Sequence, residues 1–179
     1  MRIISGKYRG RRILPPKNLP VRPTTDFAKE ALFNLLENKI EIEDSLVLDL
    51  FAGTGNLTFE FSSRGAAMVT SVDQEPACCS FIVKVAKEFD MLVVVHRANT
   101  FSYLSKLSKK FDIIFADPPY NHPKLVSIPD LVFSNELLNP RGLLILEHGI
   151  RTEVPKLEQF LETRNYGNVN FSFYQANEQ

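Results

Sequence analysis

Between residues 46 and 147, short apolar runs alternate with segments in which apolar residues recur every three or four positions. The apolar runs have the length and the β-branched and aromatic content of buried strands; they are Leu46–Phe51, Ala67–Val72, Leu92–His96, Phe111–Ala116 and Gly142–Glu147. The intervening segments predict helices at Leu57–Arg64, Glu75 to about Asp90, about Thr100–Lys109 and near Leu125–Ser134. This alternation predicts an α/β fold, a doubly wound and mainly parallel sheet with helices on both faces.

The chain ends have patterns of their own. Residues 1–14 predict a hairpin of two short strands, Arg2–Ser5 and Arg11–Leu14, followed by a proline-rich connector. Thr24 or Thr25 is suited to cap a helix whose paired apolar residues recur every four positions up to Leu36. Near the other end we expect a helix at Pro155–Glu162 and a strand or hairpin at Tyr166–Tyr174. We therefore divide the chain into a hairpin-and-helix extension, residues 1–40, and one globular unit, residues 41–179.

The neutral net charge of the 179-residue chain conceals an uneven distribution of charge. Residues 1–25 contain seven basic and no acidic residues, whereas the remainder contains 14 basic and 21 acidic residues. Because the basic residues alternate with apolar ones, they fit a folded hairpin better than a solvated tail. A basic arm of this kind indicates a polyanionic partner.

The segment Asp117-Pro118-Pro119-Tyr120 follows the buried run Phe111–Ala116 directly. Two consecutive prolines lack N–H donors and fix φ, so the strand must end there in a rigid, extended elbow. The elbow displays a carboxylate, carbonyl oxygens and an aromatic ring at the carboxyl end of a strand, where open α/β sheets bind ligands. This combination suits a planar molecule that carries an amine, such as a nucleobase.

The turn Asp49-Leu-Phe-Ala-Gly-Thr-Gly55 follows the first strand of the sheet. Its glycines permit a close approach of a ligand to the backbone, but the third glycine of a dinucleotide-binding fingerprint is replaced by Thr58. Asp49 would repel a pyrophosphate and favours a cationic ligand. The two glycines alone are also compatible with a plain structural turn.

Two polar residues follow the next strands. Asp73 ends the second strand, where doubly wound folds place an acid on ribose hydroxyls, although in isolation a strand-end or capping role is the commoner one. Asn99 follows the third strand and is suited either to an adenine edge or to capping a helix. Glu147 ends the fifth strand, where we expect a structural role.

These segments converge if the first and fourth strands are neighbours at the switch point of the sheet. Gly53 and Asp117 then lie side by side. One half of the cleft would hold a cationic nucleoside-like cofactor and the other half the acceptor base. S-adenosylmethionine fits the charge pattern better than a nicotinamide dinucleotide does.

The same motifs resemble those of amino-methyltransferases that act on nucleic-acid bases. The segments Met1–Arg12, Val21–Asp26 and Glu30–Asn34 narrow the resemblance to the RsmD family of bacterial 16S rRNA guanine-N2 methyltransferases. One departure is Phe27, which stands where the family usually carries a basic residue. The resemblance implies a Rossmann-like class I methyltransferase with a seven-stranded sheet.

The resemblance also assigns roles to residues. The acceptor and catalytic set comprises Asp117, Pro118, Pro119 and Tyr120. The cofactor set comprises Asp49, Phe51, Ala52, Gly53, Thr54, Gly55, Asp73 and Asn99. The RNA-contacting set comprises Lys7, Arg9, Arg11, Arg12 and Arg22.

The first residues contain no apolar signal segment, so we expect a cytoplasmic protein. The resemblance implies a monomer that uses S-adenosylmethionine, needs no metal and acts on 16S rRNA or the assembling small subunit. Two alternatives remain open: an adenine-N6 methyltransferase of DNA or RNA, which shares the elbow, and a catalytically silent RNA-binding assembly factor. The small size, without a separate DNA-recognition domain, weighs against the first, and the intact elbow weighs against the second.

Overall fold

The computed structural model describes residues 1–16 and 26–178, which form a seven-stranded sheet with helices on both faces. The strands are β1 Leu46–Leu50, β2 Met68–Asp73, β3 Val93–Arg97, β4 Phe111–Ala116, β5 Leu138–Gly149, β6 Phe160–Tyr166 and β7 Val169–Gln175. Their order is β3-β2-β1-β4-β5-β7-β6. The first five strands are parallel, whereas β7 runs antiparallel to both β5 and β6. The predicted doubly wound, mainly parallel sheet is confirmed.

The helices are α1 Asp26–Leu36, α2 Asn56–Ser63, α3 Pro76–Glu88, α4 Thr100–Leu104 and α5 Ile128–Ser134, and a 3₁₀ turn at Leu125–Ser127 precedes α5. Pro76 and Pro129 lie in the first turns of α3 and α5, where a missing N–H breaks no helical hydrogen bond. No helix in the described ranges is long and apolar enough to cross a membrane. The proposed caps Thr24 and Thr25 lie outside the described residues.

Two predicted helices differ from the structure. The predicted helix at Pro155–Glu162 is wrong: β6 begins at Phe160, whose ring lies 5.4 Å from that of Tyr174 on β7. Pairing with β7 supplies ladder hydrogen bonds that outweigh a weak local helix preference. Helix α4 ends at Leu104 rather than near Lys109, and the Ser105 hydroxyl donates to the Ser102 carbonyl at 3.1 Å just after that end.

The N-terminal hairpin folds onto the body of the protein. Its antiparallel arrangement is confirmed, but the two predicted strands reduce to a single bridge between Arg2 and Arg12. Ile3 and Ile13 point inward and join a buried cluster with Phe59 of α2 and Ile82 of α3. The apolar residues of the hairpin therefore anchor it, while its basic residues remain outside.

A buried ion pair ties α1, α2 and the hairpin together. The Lys29 side chain is 1% exposed, and its Nζ lies 3.2 Å from Glu60 Oε2. The same ammonium donates to the Arg2 carbonyl and to Asn56 Oδ1. Glu60 in turn accepts the main-chain N–H groups of Ile4 and Ser5. A lysine that follows a helix start so closely would ordinarily be assigned to the surface; here it is a structural residue.

Candidate functional site

The proline elbow lies directly beside the glycine loop. Strands β1 and β4 are neighbours, with Leu50 opposite Ala116, and the Asp117 N–H donates to the Leu50 carbonyl at 3.3 Å. The predicted convergence of the two segments at the switch point is therefore present. Past Asp117, the Pro119 carbonyl accepts the His122 N–H at 2.8 Å, which closes a turn after the two prolines.

The loop after β1 has an unusual backbone. Phe51, Gly53 and Gly55 have φ values of 61°, 55° and 77°, in the left-handed region. A bulky residue such as Phe51 rarely adopts this conformation, and such strained residues cluster at ligand sites. A Cβ on Gly55 would lie 2.9 Å from atoms of Phe59 and Ile82, so only glycine fits there. The Ala52 N–H donates to the Val72 carbonyl at 3.1 Å, which holds the loop against the end of β2.

Asp73 fixes the same loop from β2. Its Oδ2 accepts the Gly53 N–H and its Oδ1 accepts the Glu75 N–H, each at 2.8 Å. The carboxylate is half-buried, so each oxygen keeps a lone pair for a further donor. Asp73 therefore both shapes the loop and remains available to ligand hydroxyls.

Asp49 lies beneath the loop and is buried. Its Oδ2 accepts the hydroxyl of Thr58 at 2.5 Å, and that hydroxyl also lies 2.7 Å from Ser71 Oγ. Thr58, at the position of the missing third glycine, thus serves as a donor to the acid. Burial raises the pKa of Asp49 to about 7, against the opposing effect of the Thr58 hydrogen bond.

Two further residues of the expected cofactor set have partners within the fold. Asn99 caps α4, since its Oδ1 accepts the Ser102 N–H at 3.2 Å. Thr54 is buried, and its hydroxyl lies 3.8 Å from the sulfur of Met1. The N-terminal hairpin therefore reaches the glycine loop.

A fourth acid, Glu147, contacts the proline elbow. Glu147 is 3% exposed, and its Oε1 accepts the hydroxyl of Tyr120 at 2.8 Å. Burial raises the pKa of Glu147 to about 7, against the opposing effect of this hydrogen bond. Burial, with smaller contributions from Glu147 and Asp49, raises the pKa of Asp117 well above its usual range. The position of Glu147 at the end of β5 was the available sequence signal for its contact with the elbow.

The basic arm is accessible. Arg2, Lys7, Arg9, Arg11 and Arg12 are all exposed, on a hairpin whose isoleucines are buried. Arg22 lies outside the described residues. Phe27, at the start of α1, is 71% exposed, which is unusual for a large apolar side chain.

Comparison with known proteins places this site in a family. The family model described as "Conserved hypothetical protein 95" matches residues 1–175. A relative from Buchnera aphidicola, named ribosomal RNA small subunit methyltransferase D, is 38% identical over 150 residues, covering 82% of this chain and 75% of its own length. The Escherichia coli K12 protein of the same name is 34% identical over 158 residues, covering 87% of this chain and 78% of its own length. The chain belongs to the RsmD family.

Solved structures agree with this family assignment. A putative methyltransferase from Escherichia coli, yhhF, superposes with a TM-score of 0.88 at 31% identity and covers 100% of this chain and 99% of its own. A Thermus thermophilus structure described as a 16S rRNA N2 G1207 methyltransferase, in complex with AdoMet and guanosine, has a TM-score of 0.64 at 22% identity. It covers 88% of this chain and 45% of its own, and at that identity it shows the shared Rossmann-like fold.

Proposed function

We propose that this RsmD-family protein transfers the methyl group of S-adenosylmethionine to the exocyclic N2 amine of a guanine in 16S rRNA. The observation that carries the proposal is the juxtaposition of the Asp117–Tyr120 elbow with the strained Phe51–Gly55 loop, joined by the hydrogen bond between Asp117 and Leu50. Two adjacent half-sites of different chemistry are what a transfer between two bound molecules requires.

The cofactor half fits a cation better than an anion. Asp49 on β1 and Asp73 at the end of β2 bring two carboxyls to the loop. Such a set would repel the phosphates of a dinucleotide and attract a sulfonium. When bound, S-adenosylmethionine supplies an electrophilic methyl group on that sulfonium.

Each residue of the cofactor half has a role in this proposal. Asp73 accepts the ribose hydroxyls with the lone pairs that its two backbone partners leave over. Asn99, with Oδ1 on the α4 cap, presents its amide N–H group to the adenine edge. The segment Phe51–Gly55 lines the methionine part, with Asp49 behind it.

The acceptor half orients the amine. The Tyr120 ring, 44% exposed and held at its hydroxyl by Glu147, offers a stacking surface for a guanine that is splayed out of its RNA context. The Asp117 carboxylate and the Pro118 carbonyl accept hydrogen bonds from N2 and stabilise the positive charge that develops there. The Asp117 carboxylate then takes the proton that N2 releases.

The basic hairpin supplies contacts to the phosphate backbone. Lys7, Arg9, Arg11 and Arg12 are exposed on one hairpin that also touches the glycine loop through Met1, so RNA bound to them would approach the cleft. Arg22 belongs to the same proposed set. The relatives named ribosomal RNA small subunit methyltransferase D support rRNA as the substrate, and the Thermus neighbour supports guanine N2 as the acceptor atom. The division of the chain at residue 40 and the monomeric state stay predictions.

The proposal is tested by incubating the purified protein with isotope-labelled S-adenosylmethionine and either naked 16S rRNA or small subunits that lack the modification. The RNA is then digested to nucleosides and analysed by mass spectrometry. We expect the label in N2-methylguanosine. Label in N6-methyladenosine would support the adenine alternative, and RNA binding without label would support a silent assembly factor.

A further inference from the structure

Glu147 lies next to Asp117, so its charge affects the ionisation of that carboxyl. Strands β4 and β5 run parallel with Ala116 opposite Leu146, so Asp117 and Glu147 occupy adjacent positions at the carboxyl ends of neighbouring strands. The Glu147 carboxyl contributes, after burial, to the raised pKa of Asp117, which agrees with this closeness. Phe171, opposite Glu147 on β7, provides no charge to compensate for it.

Glu147 and the neighbouring main chain of β5 hold the Tyr120 side chain at two points. The tyrosine hydroxyl donates to Glu147 Oε1 at 2.8 Å. Two residues further along β5, a Cβ on Gly149 would lie 3.3 Å from the Tyr120 ring. The ring is therefore held at its hydroxyl end by the acid and seated along its side by the main chain of β5.

The second oxygen of Glu147 lacks a partner. Glu147 Oε2 is the only buried side-chain oxygen or nitrogen, among the residues that the structure describes, without a hydrogen bond. No lysine or arginine in the described ranges forms an ion pair with Glu147. Burial without a counter-charge favours the neutral form of this carboxyl more than water does, and the single hydrogen bond from Tyr120 opposes that effect.

Among the described residues, the other ionisable groups near Asp117 and Glu147 supply no positive charge that would compensate the two carboxyls. Asp49 on β1 acts on Asp117 and adds negative charge. His148 follows Glu147 in the chain but is buried with its Nε2 2.8 Å from Ser172 Oγ and its Nδ1 3.0 Å from the Gly149 carbonyl. Its ring is thus engaged with β7 and the strand end.

We propose that Glu147 is a positioning residue of the acceptor site, which holds the Tyr120 ring by its Oε1 and forms with Asp117 a carboxyl pair that carries one proton in the resting protein. The Tyr120 hydroxyl stabilises the charged form of Glu147, so the proton of the pair lies on Asp117, which becomes the acceptor for the amine once that proton has left. This inference rests on the proposed methyl transfer and adds a residue that tunes it.

The pair has a direct consequence for the transfer step. As the bond from N2 to the methyl carbon forms and the carbon–sulfur bond breaks, the sulfonium becomes a neutral thioether and the positive charge moves to the amine. The N2 proton then passes to Asp117, whose proton affinity the neighbouring acid increases. Glu147 thereby aids proton acceptance without touching the substrate.

Glu147→Gln separates the two roles. Glutamine has a carbonyl that accepts the Tyr120 hydroxyl, so the ring stays in place, but it cannot carry a negative charge. We expect the KM for RNA to remain within about two-fold, while the acid limb of the pH profile of single-turnover transfer moves down by about one pH unit. Glu153→Gln, at an exposed glutamate six residues further on, is the matched control and should leave the profile unchanged.

A second measurement does not depend on activity. Carbon-13 NMR of the side-chain carboxyls follows the titration of Asp117 in the wild type and in Glu147→Gln without substrate. We expect Asp117 to titrate at lower pH in the variant. In Tyr120→Phe, which removes the one hydrogen bond to Glu147, we expect Glu147 to titrate at higher pH than in the wild type.

The outcomes are distinguishable. Unchanged titration of Asp117 in Glu147→Gln, or an equal shift in Glu153→Gln, would overturn the carboxyl pair. A wild-type protein that titrates as expected but transfers no methyl group would instead contradict the proposed function and leave the pair standing. A pure loss of thermal stability in Glu147→Gln, with both pH midpoints unmoved, would assign Glu147 a structural role only.

Discussion

The main-chain N–H of Asp117 donates to the carbonyl of Leu50, and this hydrogen bond joins the strand that ends in the elbow to the strand that leads into the glycine loop. The position of Asp117 is therefore set by the backbone of the sheet. A change of its side chain should alter the chemistry of the acceptor without altering this geometry.

Asp117→Ala should lower methyl transfer by about 10²–10³-fold or more, because the amine loses the acceptor that orients it and stabilises its developing charge. The Kd for S-adenosylmethionine should change little, since the proposed cofactor residues lie on β1, in the loop after it, at the end of β2 and at the start of α4. Single-turnover kinetics and calorimetry measure the two quantities. Asp130→Ala, at an exposed position on α5, is the control. An equal loss of cofactor binding and of transfer would contradict the assignment of Asp117 to the acceptor.

Asp73→Ala should have the opposite signature. It removes the partner of the Gly53 and Glu75 N–H groups and the proposed acceptor of the ribose hydroxyls, so cofactor affinity should fall by about ten-fold or more. Asp73→Asn, which keeps one acceptor oxygen, should show a smaller loss. A Kd that stays at the wild-type value in Asp73→Ala would remove this residue from the cofactor site.

Asp49→Asn should stabilise the protein at alkaline pH. Because folding raises the pKa of Asp49 from 3.8 to about 7, the folded state binds more protons in that window and the free energy of unfolding of the wild type falls as pH rises through it. At pH 8 the variant should therefore be more stable, by on the order of 1–3 kcal/mol, with the difference vanishing towards pH 4. Denaturation at both pH values measures it, and a difference that grows towards low pH would contradict this account.

The same variant should bind S-adenosylmethionine less tightly, since it removes a negative charge next to the proposed sulfonium. Increased stability combined with weaker cofactor binding is the pattern expected of a residue kept for function. Equal or tighter binding by Asp49→Asn would indicate that the acid serves the loop alone.

Lys29→Met should destabilise the fold by about 2–3 kcal/mol, because it removes one of the two cations that pair with buried Glu60, leaving Arg64, and breaks two further hydrogen bonds. Lys84→Met, at an exposed position on α3, should be close to neutral. Guanidinium denaturation compares the two variants. Similar midpoints for both would mean that the buried pair contributes little.

Replacing Arg9, Arg11 and Arg12 by glutamine should weaken RNA binding and flatten its salt dependence by about 0.7 log–log units per lost phosphate contact on single-stranded RNA. Substitution is preferable to deletion of the hairpin, because Ile3 and Ile13 belong to the core and Ile4 and Ser5 bind Glu60. Glutamine at Lys84, Lys87 and Lys106 provides an equal change of charge elsewhere. A slope that falls equally in both triple variants would argue against a specific role of the arm.

Much of the sheet and its switch point could be predicted from the sequence. A buried parallel strand has a continuous apolar run as its sequence pattern, and two consecutive prolines end a strand. Strand β4 was placed at its observed bounds, Phe111–Ala116. The convergence of Gly53 and Asp117 followed from topology alone. The strand bounds follow from the local sequence pattern, and the neighbouring positions of β1 and β4 follow from the small number of allowed connections between strands.

What the sequence could not predict depends on packing across elements. The burial of Lys29 follows from Glu60, 31 positions away, and nothing near Lys29 signals it. Strand β6 forms because it pairs with the edge of β7. The local sequence of β6 alone does not indicate this pairing. The contact of Glu147 with Tyr120 likewise requires the register of β4 and β5.

The most direct test of the central claim is a mass-spectrometric comparison of nucleosides in small-subunit rRNA from cells with and without this protein. We predict that one N2-methylguanosine is lost without the protein, is restored by the wild-type chain and is not restored by Asp117→Ala. An unchanged content of N2-methylguanosine, or the loss of N6-methyladenosine in its place, would contradict the account.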